Sequence, residues 1–244
     1  MLAEKVESHE DVQEGMNVGY SLFQGYFFCK PEVVKGKTVP EYKINYLRFL
    51  QELSRPDLDF DELEGIIKQE VSLSMKLLRL LNSAAMGLRR EVNSIKHALV
   101  LLGERPLKKW ASLIAFTNLG DDKPSELLIT CLVRARFCEF LARSARMADR
   151  ELDLFLTGMF SAIDAVLDRP LEGLIEEMSL SDEVAKTLFG EDTTLSPVFN
   201  LALAFERADW DSISHLVAQL KVSENTVSEA YKEAVVWSRE VFSI

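Results

Sequence analysis

The sequence predicts a mainly all-α fold, in which a short β-α-β unit precedes a multi-helix domain. From Glu41 onward, apolar residues recur at helical spacing in one segment after another, and most segments end at a recognisable stop signal. Residues 1–40 instead alternate strand-like and helix-like patterns. Hydrophobic residues make up 48% of the 244 residues and charged residues 27%, which is typical of globular proteins. We therefore predict two regions, residues 1–40 and residues 41–244.

The N-terminal region reads as strand, helix and strand. Leu2–Glu7 has the pattern of a short strand. Ser8 is expected to cap a helix together with Asp11, three residues later, and Gly19 is expected to end it. The aromatic run Tyr20–Phe28 predicts a second strand, and two strands joined through a helix normally belong to a parallel sheet.

Five helices are predicted between Glu41 and the Asp121–Asp122 break. The fourth begins after Ser94 and ends at Gly103, where a left-handed C-terminal cap is expected; Pro106 then begins the fifth. The apolar stripes of the first three helices are Tyr46, Leu47, Phe49, Leu50 and Leu53; Leu63, Ile66 and Ile67; and Leu73, Leu77, Leu80, Leu81 and Ala84.

The second half of the helical region predicts further helices with shorter connections. Ser196–Pro197 should supply a cap and first turn, Asp209 should cap the following segment, and Ser223 should start the last helix. The predicted helical ranges are 125–147, 151–167, 171–177, 182–188, 196–208 and 223–237, with a further helix after Asp209.

Charge and composition disfavour several classes of partner. The chain has 28 basic and 39 acidic residues, so its net charge of -11 repels nucleic acid and anionic lipid. No apolar run approaches the roughly 20 residues that span a bilayer, and we expect a cytoplasmic protein with no membrane partner. The cysteines Cys29, Cys131 and Cys138 fit a reducing compartment, and we expect the last two to be buried on one helix face.

Two segments of the N-terminal region carry a family resemblance. Leu2–Glu7 and Phe23–Pro31 resemble the last two strands of an EAL domain, the barrel that hydrolyses cyclic di-GMP. The resemblance implies that Glu7 lies near a metal-bound water and that Gln24 lines the nucleotide site. The signature Glu-Ala-Leu triplet and the other metal-binding residues of that family are absent, so these two segments alone are not expected to hydrolyse the nucleotide. We also expect a chain that starts inside a barrel strand to be an expressed fragment or a truncated gene product.

The helical region resembles a second family, the HDOD domain, a relative of HD-type phosphohydrolases found in bacterial signalling proteins. The resemblance extends from about Glu41 to at least Trp210. The segments that carry it are Leu63–Ser74, Lys76–Ala84, Ser94–Gly103, Arg134–Glu139 and Gly158–Asp164.

The HD-type metal ligands are missing from these segments. A catalytic relative would carry a His-Asp pair where this chain has Ser161 and Ala162. The chain has three histidines, His9, His97 and His215. None of them is next to an Asp in a His-Asp pair or four residues from another His, so we expect no catalytic residue, no metal site and no cofactor.

Six residues are candidates for contacts with a partner. Asn82 and Ser83 are predicted to lie at a helix end, where capping is the simpler role, and a lone histidine such as His97 is more often a packing residue. Arg105, Lys108 and Lys109 form a basic neighbourhood together with Arg89 and Arg90. This neighbourhood could bind an anionic partner or, as a helix-turn-helix, DNA; a solvated face is the simpler interpretation.

The expected function is that of a noncatalytic signal-transduction module that acts through protein contacts and is linked to cyclic di-GMP. The alternative is a fragment of a cyclic di-GMP phosphodiesterase whose barrel is mostly missing. The orphan strands should be covered either by the helices or by a second copy, which predicts docking or a homodimer through residues 1–30. The partner, the signal and cyclic di-GMP binding itself stay open at this point.

Overall fold

The computed structural model describes residues 2–25, 41–55, 58–69, 73–77 and 94–242. These residues form a mainly helical protein with one two-stranded sheet, which confirms the predicted fold class. The strands are β1 Leu2–Ala3 and β2 Leu22–Phe23. The helices are α1 His9–Asn17, α2 Glu41–Ser54, α3 Phe60–Gln69, α4 Ile95–Leu102, α5 Glu104–Leu119, α6 Ser125–Ser144, α7 Glu151–Phe160, α8 Ile163–Leu167, α9 Leu171–Met178, α10 Asp182–Leu188, α11 Ser196–Glu206, α12 Trp210–Leu220 and α13 Glu224–Phe242.

The N-terminal unit has the predicted order of strand, helix and strand. β1 and β2 are parallel, with Leu2 opposite Leu22 in register, and α1 connects them. The Ser8 hydroxyl accepts a hydrogen bond from the Asp11 amide at 3.1 Å, while the Asp11 carboxylate accepts one from the Ser8 amide at 2.9 Å. This reciprocal pair is the capping box that the sequence predicted.

The first strand is shorter than predicted. Leu2–Glu7 was expected to be extended throughout, but only Leu2 and Ala3 belong to the strand. At Lys5 the backbone takes a φ of 58°, which is outside the extended region and turns the chain. The backbone amide of Val6 still donates to the Gln24 carbonyl at 3.1 Å, so the two segments stay side by side.

The helical region has two apolar clusters that share α6. The first half of α6, including Cys131 and Leu132, packs into a cluster with residues of α2 to α5 and α7 to α9. The second half, including Phe137 and Cys138, packs into a cluster with residues of α7 and α10 to α13. The predicted stripe residues that the structure describes, from Tyr46 to Leu77, are buried or half-buried. Leu80, Leu81 and Ala84 lie outside the described residues.

Several predicted helix ends are confirmed. The Ser94 side chain accepts from the His97 amide at 3.4 Å, and the Asp209 carboxylate accepts from the Ser212 amide at 3.2 Å. α4 ends at Gly103 as predicted, but with a φ of 73° and a ψ of 168° this residue is not in the expected left-handed helical conformation. α5 then begins at Glu104 and not at Pro106. Within the described ranges, no helix combines the length and the apolar character that crossing a membrane requires.

Several predicted helices have different bounds. The helix expected over 151–167 is divided, because the chain leaves the helical conformation at Ala162, where φ is -139° and ψ is 33°. The helix expected over 125–147 ends at Ser144, and Arg146 then takes a φ of 62°. Ser196 was expected to cap α11 but is its first residue; its hydroxyl instead donates to the Glu191 carbonyl at 3.0 Å.

Candidate functional site

The two parallel strands bring Glu7 and Gln24 together at one end of the small sheet. The backbone amide of Gln24 donates to the Ala3 carbonyl at 2.7 Å, and the backbone carbonyl of Gln24 accepts from the Val6 amide. Gln24 therefore lies beside the segment that leads to Glu7. Both side chains are exposed. The residues that line the open cleft at this position, of about 360 Å³, are Glu4, Lys5, Glu7, Gln24 and Gly25.

The backbone around this cleft is tightly held. A Cβ atom on Gly25 would lie 2.1 Å from the Val6 carbonyl oxygen, so only glycine allows the end of β2 to approach so closely. The amides of Glu7 and Ser8 both donate to the Asp11 carboxylate at 2.9 Å, and these hydrogen bonds lower the Asp11 pKa. The backbone of Glu7 is therefore fixed where this residue lines the cleft.

The described residues do not fit a metal centre. No three or more His, Cys, Asp or Glu side chains within the described ranges are placed to hold one ion. In the cleft, Glu4 and Glu7 are exposed, and Asp11 is used by the α1 cap. Two-metal phosphodiester hydrolysis needs several carboxylates that converge on the ions, so no catalytic step through a metal can be built from these residues.

A guanidinium group lies where an HD relative would carry metal ligands. Arg134 on α6 donates to the Ser161 hydroxyl at 3.0 Å and to both carboxylate oxygens of Glu206 at 2.8 Å. A Cβ atom on Gly158 would lie 2.5 Å from the Ala135 nitrogen, so α7 packs directly on the α6 backbone at this point. A fixed cation here would repel a metal ion, and Ala162 offers no ligand.

The predicted basic neighbourhood is largely neutralised by acidic partners. Lys108 forms an ion pair with Glu104 at 2.8 Å, and Lys109 forms one with Glu139 on α6. Lys109 also lies over the Phe155 ring, with its ammonium 4.8 Å from the ring centroid. Arg105 is exposed. The structure therefore does not bring these three residues together as an open basic patch.

The remaining sequence candidates fall into two groups. Asn82 and Ser83 lie outside the described residues, as do Arg89 and Arg90. His97 is exposed on α4, which is contrary to a packing role for its side chain. Cys131 and Cys138 are fully buried, as expected, and burial raises the pKa of the Cys131 thiol to about 11 and that of the Cys138 thiol to about 12.

The Asp121–Asp122 turn makes specific contacts with α2. The Tyr42 hydroxyl donates to Asp121 at 2.9 Å, and the Lys43 ammonium donates to Asp122 at 2.5 Å. The Lys43 side chain is 4% exposed. Lys43 continues the buried stripe toward the N-terminus at positions 43, 46, 47 and 50. A charged residue in an apolar stripe is the signal that could have indicated a buried ion pair.

Comparisons with known proteins identify the helical region. The family model for the HDOD domain matches residues 39–168. A protein of Vibrio cholerae named cyclic di-GMP phosphodiesterase CdgJ is 32% identical over 240 residues, which are 98% of this chain and 56% of the relative. The uncharacterized protein YuxH of Bacillus subtilis is 34% identical over 239 residues, which are 97% of this chain and 58% of the relative.

A crystal structure of an HDOD domain protein of unknown function from Geobacter sulfurreducens is also similar, with a TM-score of 0.42 and 20% identity. The match covers 84% of this chain and 73% of the crystallised one.

The relatives correct the expectation that the chain is not an enzyme. The Vibrio cholerae relative, which aligns with 98% of this chain, is named as a phosphodiesterase, and this finding overturns the expectation. The expectation was based on the metal-binding residues that are absent from these 244 residues. The chain spans 56% and 58% of the length of its two curated relatives, so residues missing here do not argue against catalysis by the whole protein.

Proposed function

The chain belongs to the HDOD family, and from this premise we propose that it works in cyclic di-GMP signalling as part of a phosphodiesterase. Such an enzyme adds water across one phosphodiester bond and so opens the cyclic dinucleotide. The name of the Vibrio cholerae relative supports this assignment, since the similarity extends over nearly the whole chain. The observation that carries the proposal is the cleft shared by Glu7 and Gln24 at one end of β1 and β2.

The position of the cleft suits a nucleotide site. The ends of parallel strands are where barrel and α/β proteins place their ligand-binding residues. Gly25 lets the two chain segments come close, and the α1 cap holds the backbone of Glu7. In the proposed role, Gln24 contributes hydrogen bonds to the nucleotide, and Glu7 contributes a carboxylate near the attacking water.

In the proposed function, the helical domain regulates this activity through protein contacts. Its ion pairs neutralise Lys108 and Lys109, so among these basic candidates Arg105 has the side chain most accessible to an anionic group on a partner. The net charge of -11 favours protein partners over nucleic acid.

The N-terminal unit also supports the proposal of a homodimer. Leu2 and Leu22 are opposite each other in register and are 45% and 63% exposed. Strand residues alternate between faces, and Phe23 contacts α1 at Gly15, so the two leucines lie on the opposite face of the sheet. A second copy would cover this face and a strand edge that has no partner strand among the described residues.

The dimer can be tested by sedimentation of the wild-type chain and of Leu22→Ser. The substitution should shift the chain toward monomer, whereas Val100→Ser, at a 59% exposed position on α4, should not. A wild-type chain that sediments as a monomer at high concentration would rule out this dimer.

The nucleotide site can be tested by calorimetric titration with cyclic di-GMP and Mg²⁺, with product analysis on the same samples. We expect Gln24→Ala to weaken binding about tenfold, which corresponds to the loss of one or two hydrogen bonds. In a longer protein that supplies the rest of the catalytic barrel, Glu7→Gln should lower turnover more than binding. Glu10→Gln is the matched control, because Glu10 is an exposed carboxylate on α1 that does not line the cleft. If the wild-type chain does not bind, or if all three variants behave alike, the site is wrong.

A further inference from the structure

An exposed tryptophan marks the corner between α11 and α12. Trp210 is the first residue of α12, and 65% of its surface is exposed. Tryptophan is buried on average in soluble proteins, and exposed tryptophans that are held in place are frequent anchors of protein interfaces. Trp210 lies outside the residues matched by the family model.

Trp210 is part of an aromatic cluster that reaches into the core. Its ring meets the Phe205 ring edge-on, with the centroids 6.4 Å apart. The Phe205 ring packs on the rings of Tyr231 and Phe137, with centroid distances of 4.7 Å and 5.9 Å. Phe137 is 1% exposed. The exposed indole is therefore held by aromatic packing on its inner side, so the Trp210 side chain would lose little conformational entropy when a partner binds to it.

The backbone of the corner is fixed on both sides of Trp210. Glu206, at the end of α11, is held by the two hydrogen bonds from Arg134. Ala208 takes a φ of 54°, a left-handed conformation that costs a residue with a side chain about 1 kcal/mol. Such strained positions often occur where a protein presents a binding group. Ser212, on the other side of Trp210, donates hydrogen bonds from its backbone amide and its hydroxyl to the Asp209 carboxylate, which caps α12.

The charges next to the indole favour a cation. Asp209 and Asp211 flank Trp210 in the sequence and are exposed. The hydrogen bonds from Ser212 lower the pKa of Asp209, so this carboxylate is ionised at neutral pH. Asp211 makes no hydrogen bond or ion pair with any described residue, which leaves its charge available to a partner. Arg207 is the one basic residue among the ten from Phe205 to Ser214.

We propose that this corner binds a short segment of a partner protein that combines basic and apolar side chains. An apolar side chain packs against the indole of Trp210, and a Lys or Arg side chain lies over the ring face and pairs with Asp211. Phosphate-rich partners are disfavoured, because the two carboxylates repel them. This inference gives a chemistry to the regulatory contacts in the proposed function, and it stands whether or not the chain hydrolyses cyclic di-GMP.

The probe for this site is a short fluorescein-labelled peptide in which leucine and lysine alternate, measured by fluorescence anisotropy. We expect Trp210→Ala to weaken its binding about tenfold or more and Asp211→Asn to weaken it about threefold. The control is Phe189→Ala, which removes another exposed aromatic ring, 44% exposed, that lies after the end of α10. Circular dichroism should show that each variant keeps its helices.

Several outcomes would overturn the proposal. If the peptide binds equally well to wild type and to Trp210→Ala, Trp210 is not the anchor of the site. If a matched leucine–glutamate peptide binds as well as the leucine–lysine peptide, the site has no preference for basic side chains. Sedimentation that shows a dimer dependent on Trp210 would make a second copy the occupant. Stronger binding to phosphatidylserine vesicles than to the peptide would point to a membrane instead. Cyclic di-GMP turnover, measured on the same variants, tests the proposed enzyme function separately.

Discussion

Arg134 and Glu206 form a two-point ion pair in which the Nε and Nη2 atoms of the arginine donate to the two carboxylate oxygens, each at 2.8 Å. The remaining Nη1 donates to the Ser161 hydroxyl at 3.0 Å. One side chain therefore joins three elements: α6, the break between α7 and α8, and the end of α11. The Arg134 side chain is 13% exposed and that of Glu206 is 30% exposed, so solvent screens this pair only in part.

We expect Arg134→Ala to destabilise the fold by roughly 2 to 4 kcal/mol, because it leaves Glu206 unpaired and removes the bond to Ser161. Urea unfolding followed by circular dichroism measures this. The control is Arg143→Ala, since Arg143 is paired with Glu151 but is 80% exposed; its loss should cost about 0.5 kcal/mol or less. Equal costs for the two substitutions would mean that the pair at Arg134 is no more than a surface contact.

Two glycines on helices should respond to alanine in opposite directions. At Gly158, an added Cβ atom would lie 2.5 Å from backbone atoms of Arg134 and Ala135, so Gly158→Ala should cost about 1 to 3 kcal/mol. At Gly65 on α3, nothing lies within 4 Å of the added atom, and Gly65→Ala should stabilise the protein by about 0.5 to 1 kcal/mol. Thermal unfolding of both variants checks the signs. A stabilising Gly158→Ala would contradict the direct packing of α7 on α6.

The local signals in the sequence predicted much of this fold. The cap at Ser8, the end of α4 at Gly103 and the cap at Asp209 depend on residues within three or four positions of one another, and such short-range chemistry is legible in a sequence. The break at Ala162 was missed, because the apolar pattern continues through it from Phe160 to Ile163. At that break, the Ser161 hydroxyl accepts a hydrogen bond from Arg134, which lies 27 positions away in the sequence.

The candidate site residues could be predicted from the sequence only in part. Glu7 and Gln24 were predicted from the resemblance to the EAL domain, and the parallel pairing of β1 and β2 places both beside one cleft. The sequence left the basic neighbourhood open between a solvated face and a binding surface, and it could not show that Glu139, 30 positions along the chain, pairs with Lys109. Lys108 pairs with Glu104, four positions earlier on α5, and this spacing on a helix is sufficient to predict the ion pair.

The carboxyl group of Asp164 should make stability depend on pH. Burial raises its pKa above the ordinary value, because the folded state disfavours the charged form. A carboxyl group with a raised folded pKa destabilises the fold when ionised, and this penalty disappears as the pH falls through the raised pKa toward the ordinary value of 3.8. Asp164→Asn should therefore be more stable than wild type at neutral pH, and the difference should vanish near pH 4. Chemical unfolding at a series of pH values measures it; a gain that is constant with pH would exclude this cause.

The two buried thiols should be unreactive in the folded protein. The pKa values of about 11 for Cys131 and about 12 for Cys138 leave almost no thiolate at pH 8, and both side chains are inaccessible. The test uses Cys29→Ser, so that only these thiols remain. We expect a thiol-specific disulfide reagent to label the native variant only on the timescale of unfolding and to label both thiols at once in denaturant. Rapid labelling without denaturant would show that α6 opens locally.

The last helix is attached to the HDOD core by a cluster of cations and aromatic rings. Trp237 on α13 meets Phe155 on α7 edge-on, with centroids 6.1 Å apart. The Lys109 ammonium lies 5.9 Å from the Trp237 ring centroid, and the Arg136 guanidinium lies 5.7 Å from it. Arg136 also pairs with Glu233, one helical turn before Trp237. The cluster thus joins α13, which lies beyond the residues matched by the family model, to α5, α6 and α7.

We expect the contacts of Trp237 and Lys109 to be energetically coupled, because the indole face and the ammonium attract each other in a partly desolvated place. Trp237→Leu alone should cost roughly 2 kcal/mol or more through lost packing. Lys109→Met keeps the apolar stem and leaves Glu139 paired with Arg136 at 2.8 Å, so it isolates the loss of the charge. A double-mutant cycle from urea unfolding should give a coupling of about 0.5 to 2 kcal/mol. Additive costs would mean that the charge of Lys109 has no part in holding Trp237 and α13.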